Sequence, residues 1–173
     1  MTFGRADLFA IEAYCEQMAG APAGAWGRAC LHVQGSAIGD IAEPHCGLDP
    51  FADSMAEMVA RVDFLTAPEF TSLSDIELFK FLDSRLYGDV GQSQEEMERD
   101  WEKWGRFDFL TNVGEQFDGW KTFIFTRADG SVRIVSSRDG RAPESHAVPR
   151  TEIIAVTAAF LAWFEAQRQT ASR

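Results

Sequence analysis

Apolar and polar residues alternate twice within the first forty positions of the chain. Phe9, Ile11 and Ala13 recur at every second residue, and Ala29, Leu31 and Val33 do the same. That is the period of a strand with one face against a core. Phe3-Gly4 leads into the first run. The second follows Trp26-Gly27-Arg28 and passes into Gly35-Ser36, which turns toward Ile38-Gly39-Asp40. The pattern predicts an antiparallel meander with Phe9 and Trp26 in its core and Gly27 and Gly39 serving backbone geometry. Gln17 to Ala25, rich in Ala and Gly with Pro22, predicts a mobile loop between the first two strands.

The spacing then lengthens to that of helices. Asp49 as N-cap and Pro50 at the first helical position precede a stripe of Phe51, Met55, Met58, Val59, Val62 and Leu65. Ser74 and Glu77 make a capping-box pair ahead of Phe79, Leu82 and Leu86, with a stop at Gly88. A third helix starts with Ser93 and Glu96 and stops at Gly105, with Met97, Trp101 and Trp104 on the side expected to be buried. Trp120 to Arg127 and Ser131 to Arg138 flank Asp129-Gly130, which predicts a hairpin with a two-residue turn. Pro143 to Pro149 reads as a connection, and a terminal helix runs from Thr151 to Gln167 with an apolar stripe wide enough to meet both a sheet and another helix. The fold class is therefore α+β: an antiparallel sheet, built from the N-terminal meander plus the later hairpin, packed with about four helices in a single globular domain over residues 1–173.

Length supports one core, since 173 residues with 46% hydrophobic content can bury one of good size. The longest strongly apolar stretch, Ile153 to Phe164, falls short of the roughly 20 residues that span a bilayer. The N-terminus shows no basic segment followed by an apolar run. Cys15, Cys30 and Cys46 have no paired spacing, which fits reduced thiols. A soluble, cytoplasmic protein is expected.

Charge adds a partner class. The net charge of −11 is concentrated: residues 89–118 carry nine acids against Arg99, Lys103 and Arg106, while residues 40–57 carry Asp40, Glu43, Asp49, Asp53 and Glu57 with no Lys or Arg. Such patches disfavour nucleic acid and anionic membranes and favour a basic partner. Helical spacing puts Glu95, Glu98 and Glu102 on one side of the third helix, and Asp49, Asp53 and Glu57 on one side of the first. These six are the candidate partner-binding residues.

Catalytic patterns are missing from the chain: there is no GxSxG, HExxH, GxGxxG or P-loop. Cys30 and His32 project from one strand face together with Arg28 and Gln34. A thiol and an imidazole can form a nucleophile and base, but the sequence supplies no third group to orient them, so the pair reads as part of a polar surface. His45-Cys46, with His146 far along the chain, does not complete a metal shell. No catalytic residue, metal ligand or cofactor site is assigned.

The elements FG near the start, FAIE at Phe9 to Glu12, WGR at Trp26 to Arg28, the strand ending in a Gly-containing turn, and IGD at Ile38 to Asp40 resemble the N-terminal signature of bacterial immunity protein family 42. They span about a quarter of the chain. The resemblance implies a small protein, encoded beside a polymorphic toxin, that docks on the toxin without catalysis or cofactor. It fixes no contact residues. With no export signal, the toxin is expected to act in the cytoplasm, and a nuclease with a basic substrate groove suits the acidic surplus best. The alternatives are an adaptor or chaperone for a secreted effector and, less favoured, a thiol-dependent enzyme using Cys30 and His32.

Overall fold

The computed structural model describes residues 1–16, 25–88 and 91–171; the loop expected over Gln17 to Ala25 lies outside them apart from Ala25. The meander is built from β1 (Thr2–Arg5), β2 (Phe9–Cys15), β3 (Trp26–Val33) and β4 (Ser36–Ile38), antiparallel in that order, with β5 (Cys46–Gly47) pairing the start of β3. In this register Glu12 stands opposite Cys30, and Ala10 opposite His32. A second antiparallel sheet has the order β6 (Trp120–Thr126), β7 (Val132–Arg138), β8 (Glu144–Val148). Between the sheets come α1 (Asp49–Arg61), α2 (Asp75–Tyr87) and α3 (Gln94–Trp104), and α4 (Arg150–Ala171) closes the chain.

Each sheet has its own helical cover. α4 packs on β1 and β2 with α1 beside it, whereas α2 lies on β6, β7 and β8 with α3 on its far flank. One continuous cluster of buried side chains, from Phe9 to Phe164, joins the two halves. At the surface, the Gln34 amide donates to the Ala147 carbonyl of β8 and the Ser36 hydroxyl donates to Glu144.

Both capping boxes form as their sequences require. Ser74 Oγ accepts from the Glu77 N–H, and the Glu77 carboxylate accepts from the Ser74 N–H; Ser93 and Glu96 repeat the exchange. Asp49 does not cap α1. That position belongs to Leu48 with no side-chain bond, and the Asp49 carboxylate reaches across to the Ala25 N–H at 3.0 Å. A residue with a backbone amide to satisfy elsewhere has taken the acid. The α-helix ends at Arg61, and Val62 continues the buried stripe in a short 3-10 turn. The hairpin turn holds three residues, since the Arg127 N–H donates to the Ser131 carbonyl and the Gly130 N–H to Arg127. A two-residue type I′ turn needs positive φ at both centres, and here Gly130 has it while Asp129 does not. The Pro143 to Pro149 connection contains β8. Phe9 is fully buried, but Trp26 is only half-buried at the first position of β3.

Two glycines of the N-terminal signature are needed for space. A Cβ on Gly27 would lie 1.8 Å from the Tyr14 carbonyl oxygen across the β2–β3 pair, and one on Gly39, at φ +96°, would meet the Phe117 ring at 2.7 Å. Asp75 performs a different task at the start of α2: it accepts from the Arg127 guanidinium and the Ser145 hydroxyl, with Arg133 nearby, and so ties the helix to all of the second sheet.

Truncating Phe9 to Ala is expected to cost about 3 to 5 kcal/mol in urea denaturation, with a smaller loss for Trp26→Ala. Gly27→Ala should rival Phe9→Ala despite adding only one methyl. For Asp75, burial alone would raise the carboxyl, but Ser145 and Arg127 outweigh it and hold the folded-state value below 3.8. A lowered folded value gives stability that is present above about pH 4 and is lost as pH falls through it. Asp75→Asn is therefore expected to cost about 1.5 to 3 kcal/mol at pH 7 and progressively less below pH 4, measured as the difference in denaturation midpoints.

Candidate interaction surface

α3 is held to the protein by buried Trp104, by the Asp100–Arg85 pair and by Lys103, which donates to Glu69 at 2.8 Å. Trp104 is the buried residue of this helix, and its indole packs between Phe70, Phe81 and Phe107 at centroid distances of 5.8, 5.0 and 6.3 Å. Met97 and Trp101 were expected beside it in the core, yet they are 46% and 44% exposed. The reason is geometric. An apolar stripe identifies residues that share a side, whereas α3 lies against α2, the turn that follows it and the short turn Pro68–Ser72, which together cover only part of that side. Trp101 meets Tyr87 edge-on at 5.8 Å, lies over the backbone of Gly105 and keeps its remaining surface open.

The acids sort by side. Asp100, mostly buried, accepts from Gln92 at 2.7 Å and pairs with Arg85 toward α2. Glu95, Glu98 and Glu102 are exposed. Glu98 accepts from Gln94 at 2.8 Å, and among the described residues Glu95 and Glu102 meet no hydrogen-bond or ion-pair partner. Each residue advances about 100° round a helix, so Glu98 borders Trp101 and Glu102 lies next beyond it on the same side. The Glu96 carboxyl is held below its ordinary value by the Ser93 N–H and hydroxyl, which adds a fixed negative charge at the start of the helix.

The acids of α1 are not equivalent to these. Asp49 is engaged with the Ala25 N–H and lies 3.5 Å from Arg168, so it is withdrawn from any common face. Asp53 and Glu57 are exposed, with Arg61 one turn beyond Glu57. Sequence spacing had treated the two helices alike; what separates them is the exposed aromatic on α3, which no periodicity reveals.

The polar face of the first sheet contains a second constellation. His32 Nε2 lies 2.9 Å from Glu12 Oε2 and 3.4 Å from Cys30 Sγ, and Tyr14 donates to Glu12 Oε1 at 2.6 Å. Glu12 is the third group that the sequence did not disclose, because the β2–β3 register brings it in. The arrangement is nevertheless not a proton relay: thiol and carboxylate both converge on Nε2, whereas a relay needs them on opposite ring nitrogens. Burial first, then the Glu12 charge, pushes the Cys30 thiol up to about 12. The Tyr14 hydroxyl and then His32 hold Glu12 low. The other ligand set considered from sequence does not assemble. His45 lies against Glu16, the Cys46 thiol points to the Glu43 and Pro44 carbonyls, and His146 sits on β8 near Glu144.

Comparison with known proteins decides the family. The family model described as Immunity protein 42 matches residues 1–163. The chain belongs to the Immunity protein 42 family. It is a toxin-neutralising immunity protein whose partner is a protein, its cognate toxin. The crystal structure of CdiI from Burkholderia dolosa AUO158 superposes with a TM-score of 0.61 at 15% identity, covering 94% of this immunity protein and 99% of that chain. At that identity the likeness is one of fold. No curated protein matches the chain. No helix among the described residues is long and apolar enough to cross a membrane.

The thiols of the immunity protein provide a direct check on the relay geometry. Cys15 is exposed, while Cys30 and Cys46 are buried. Iodoacetamide at neutral pH is expected to modify Cys15 first and the other two slowly, as read by peptide mass spectrometry. Preferential modification of Cys30 at pH 6 would instead reveal an activated thiolate.

Proposed function

We propose that the immunity protein docks on its toxin through the outer side of α3, with Trp101 and Met97 as the apolar centre and Glu95, Glu98 and Glu102 as the charged border. The observation that carries this is the conjunction of half-exposed Trp101 with three exposed carboxylates that form no ion pair among the described residues. A large aromatic that anchors in a partner's pocket, ringed by polar groups that exclude water, is the usual composition of an energetic hot spot. Unpaired carboxylates beside it suit a basic surface and accelerate encounter. Asp53 and Glu57 on α1 extend the acidic field without an apolar centre and act in steering.

Neutralisation then proceeds by occlusion without catalysis, in the cytoplasm, against a toxin with a basic substrate groove such as a nuclease. The net charge of −11 supports that class of target. Inhibition by occlusion is stoichiometric. Residual toxin activity should fall to zero at one equivalent and should not decline further with time at substoichiometric immunity protein, as turnover would require.

Binding to the toxin domain encoded beside the immunity gene tests the surface. Trp101→Ala is expected to weaken affinity by about 2 kcal/mol or more, mainly through faster dissociation. Reversing Glu95, Glu98 and Glu102 together to Lys should slow association and remove most of its salt dependence. The same reversal at Asp129, Glu144 and Glu152 should act far less. Circular dichroism checks that each variant is folded. Equal affinity for both triple variants, with Trp101→Ala unchanged, would move the interface away from α3.

A further inference from the structure

We propose that Glu12, Cys30 and His32 form a binding site for one divalent transition-metal cation of the zinc class on the outer face of the first sheet. Three donor atoms meet there: His32 Nε2 and Glu12 Oε2 are 2.9 Å apart, Cys30 Sγ and His32 Nε2 3.4 Å, and Cys30 Sγ and Glu12 Oε2 4.0 Å. A point equidistant from atoms so spaced lies about 2 Å from each, which is the length of zinc bonds to nitrogen and oxygen and slightly short of those to sulfur. An ion just above the plane of the three atoms meets all of these lengths and keeps its fourth tetrahedral position outward, where water completes the shell. Glu12 and His32 retain 22% and 20% exposure as a route of entry, while buried Cys30 forms the floor.

The donor chemistry selects the ion. A sulfur, an imidazole nitrogen and one carboxylate oxygen suit zinc, cobalt or nickel and not magnesium or calcium, which require oxygen shells. The site is also preorganised. Glu12 and Cys30 are direct cross-strand partners and His32 follows two residues on, so all three ligands stand on two hydrogen-bonded strands and no loop has to close. Tyr14 donates to the other carboxylate oxygen, Oε1, and thereby orients Oε2 toward the ion as outer partners of metal ligands do. Without a cation Nε2 has a single proton or lone pair for two neighbours, Sγ and Oε2, and the thiol's other contact is a long one of 4.0 Å to Glu12 Oε2. On binding, the Cys30 thiol proton passes to solvent and the sulfur–metal bond replaces the S–H bond.

The full chain, freed of metal with a chelator, is titrated with CoCl2 and, in competition with a chromophoric chelator, with ZnCl2. Wild type is expected to take one equivalent of each, with micromolar or tighter affinity for zinc, and its cobalt form should show a thiolate-to-cobalt charge-transfer band in the near ultraviolet. Cys30→Ser should abolish the band and weaken zinc binding by about 100-fold or more, and His32→Gln and Glu12→Gln should each weaken it by at least about 10-fold. Cys46→Ser should change neither. The proposal is overturned if wild type retains no zinc and shows no cobalt band, or if the band survives Cys30→Ser and disappears in Cys46→Ser. In a Cys15→Ser/Cys46→Ser variant Cys30 is the one cysteine left, so loss or retention of the cobalt band there decides even where Cys30→Ser fails to fold.

Discussion

Phe51 on α1 lies parallel to Phe117 at 5.5 Å and edge-on to Phe160 of α4 at 5.3 Å, and all three rings are fully buried. Through this junction the first sheet, its two covering helices and the approach to the second sheet become one core. Phe160 continues to Phe3 of β1, and Phe117 lies beneath Gly39 at the end of the meander. The glycine in the family signature thus follows from the junction, because close-packed interiors leave no room for a methyl beside such a ring. A second aromatic cluster, Phe70 with Phe107, Phe125 and Trp104, fastens the second sheet in the same way.

The outer side of α3 is a consequence of this arrangement. Because α2 already covers the second sheet, α3 has no sheet face to pack on and is secured by Trp104 together with the polar contacts of Asp100 and Lys103. Its apolar stripe is consequently only partly consumed, and Trp101 and Met97 remain open to solvent. A protein whose work is recognition needs rigid surface that its own core does not use, and a short helix with capping boxes at its start and that of its neighbour provides it. The acids follow the same division. Asp100 faces inward, paired with Arg85 and accepting from the Gln92 amide, whereas Glu95, Glu98 and Glu102 face outward.

Much of this was legible along the chain, and the limits have physical causes. Capping boxes at Ser74 and Ser93 gave their helix starts because the signal is local and self-contained. The alternation around Ile11 and Leu31 gave the meander. β1, β5 and β8 were not visible, since strands of two to five residues with mixed polarity carry too few periods to read. Asp49 looked like a cap because the backbone N–H that donates to it, at Ala25, is distant in sequence. The sharing of Met97, Trp101 and Trp104 on one side was correct, but their degree of burial depends on how far the neighbouring helix extends. Likewise Cys30 and His32 were paired from spacing, whereas Glu12 joins them only once the register of β2 on β3 is known.

The account rests on α3 being the side that meets the toxin, and hydroxyl-radical footprinting of the immunity protein with and without its toxin domain measures this at the side chains concerned. Trp101 and Met97 are readily oxidised and exposed when free. In the complex both should become strongly protected, while exposed Phe64, on the turn after α1, keeps its reactivity. Undiminished oxidation of Trp101 and Met97 in a saturated complex, with protection appearing on other elements, would contradict the account.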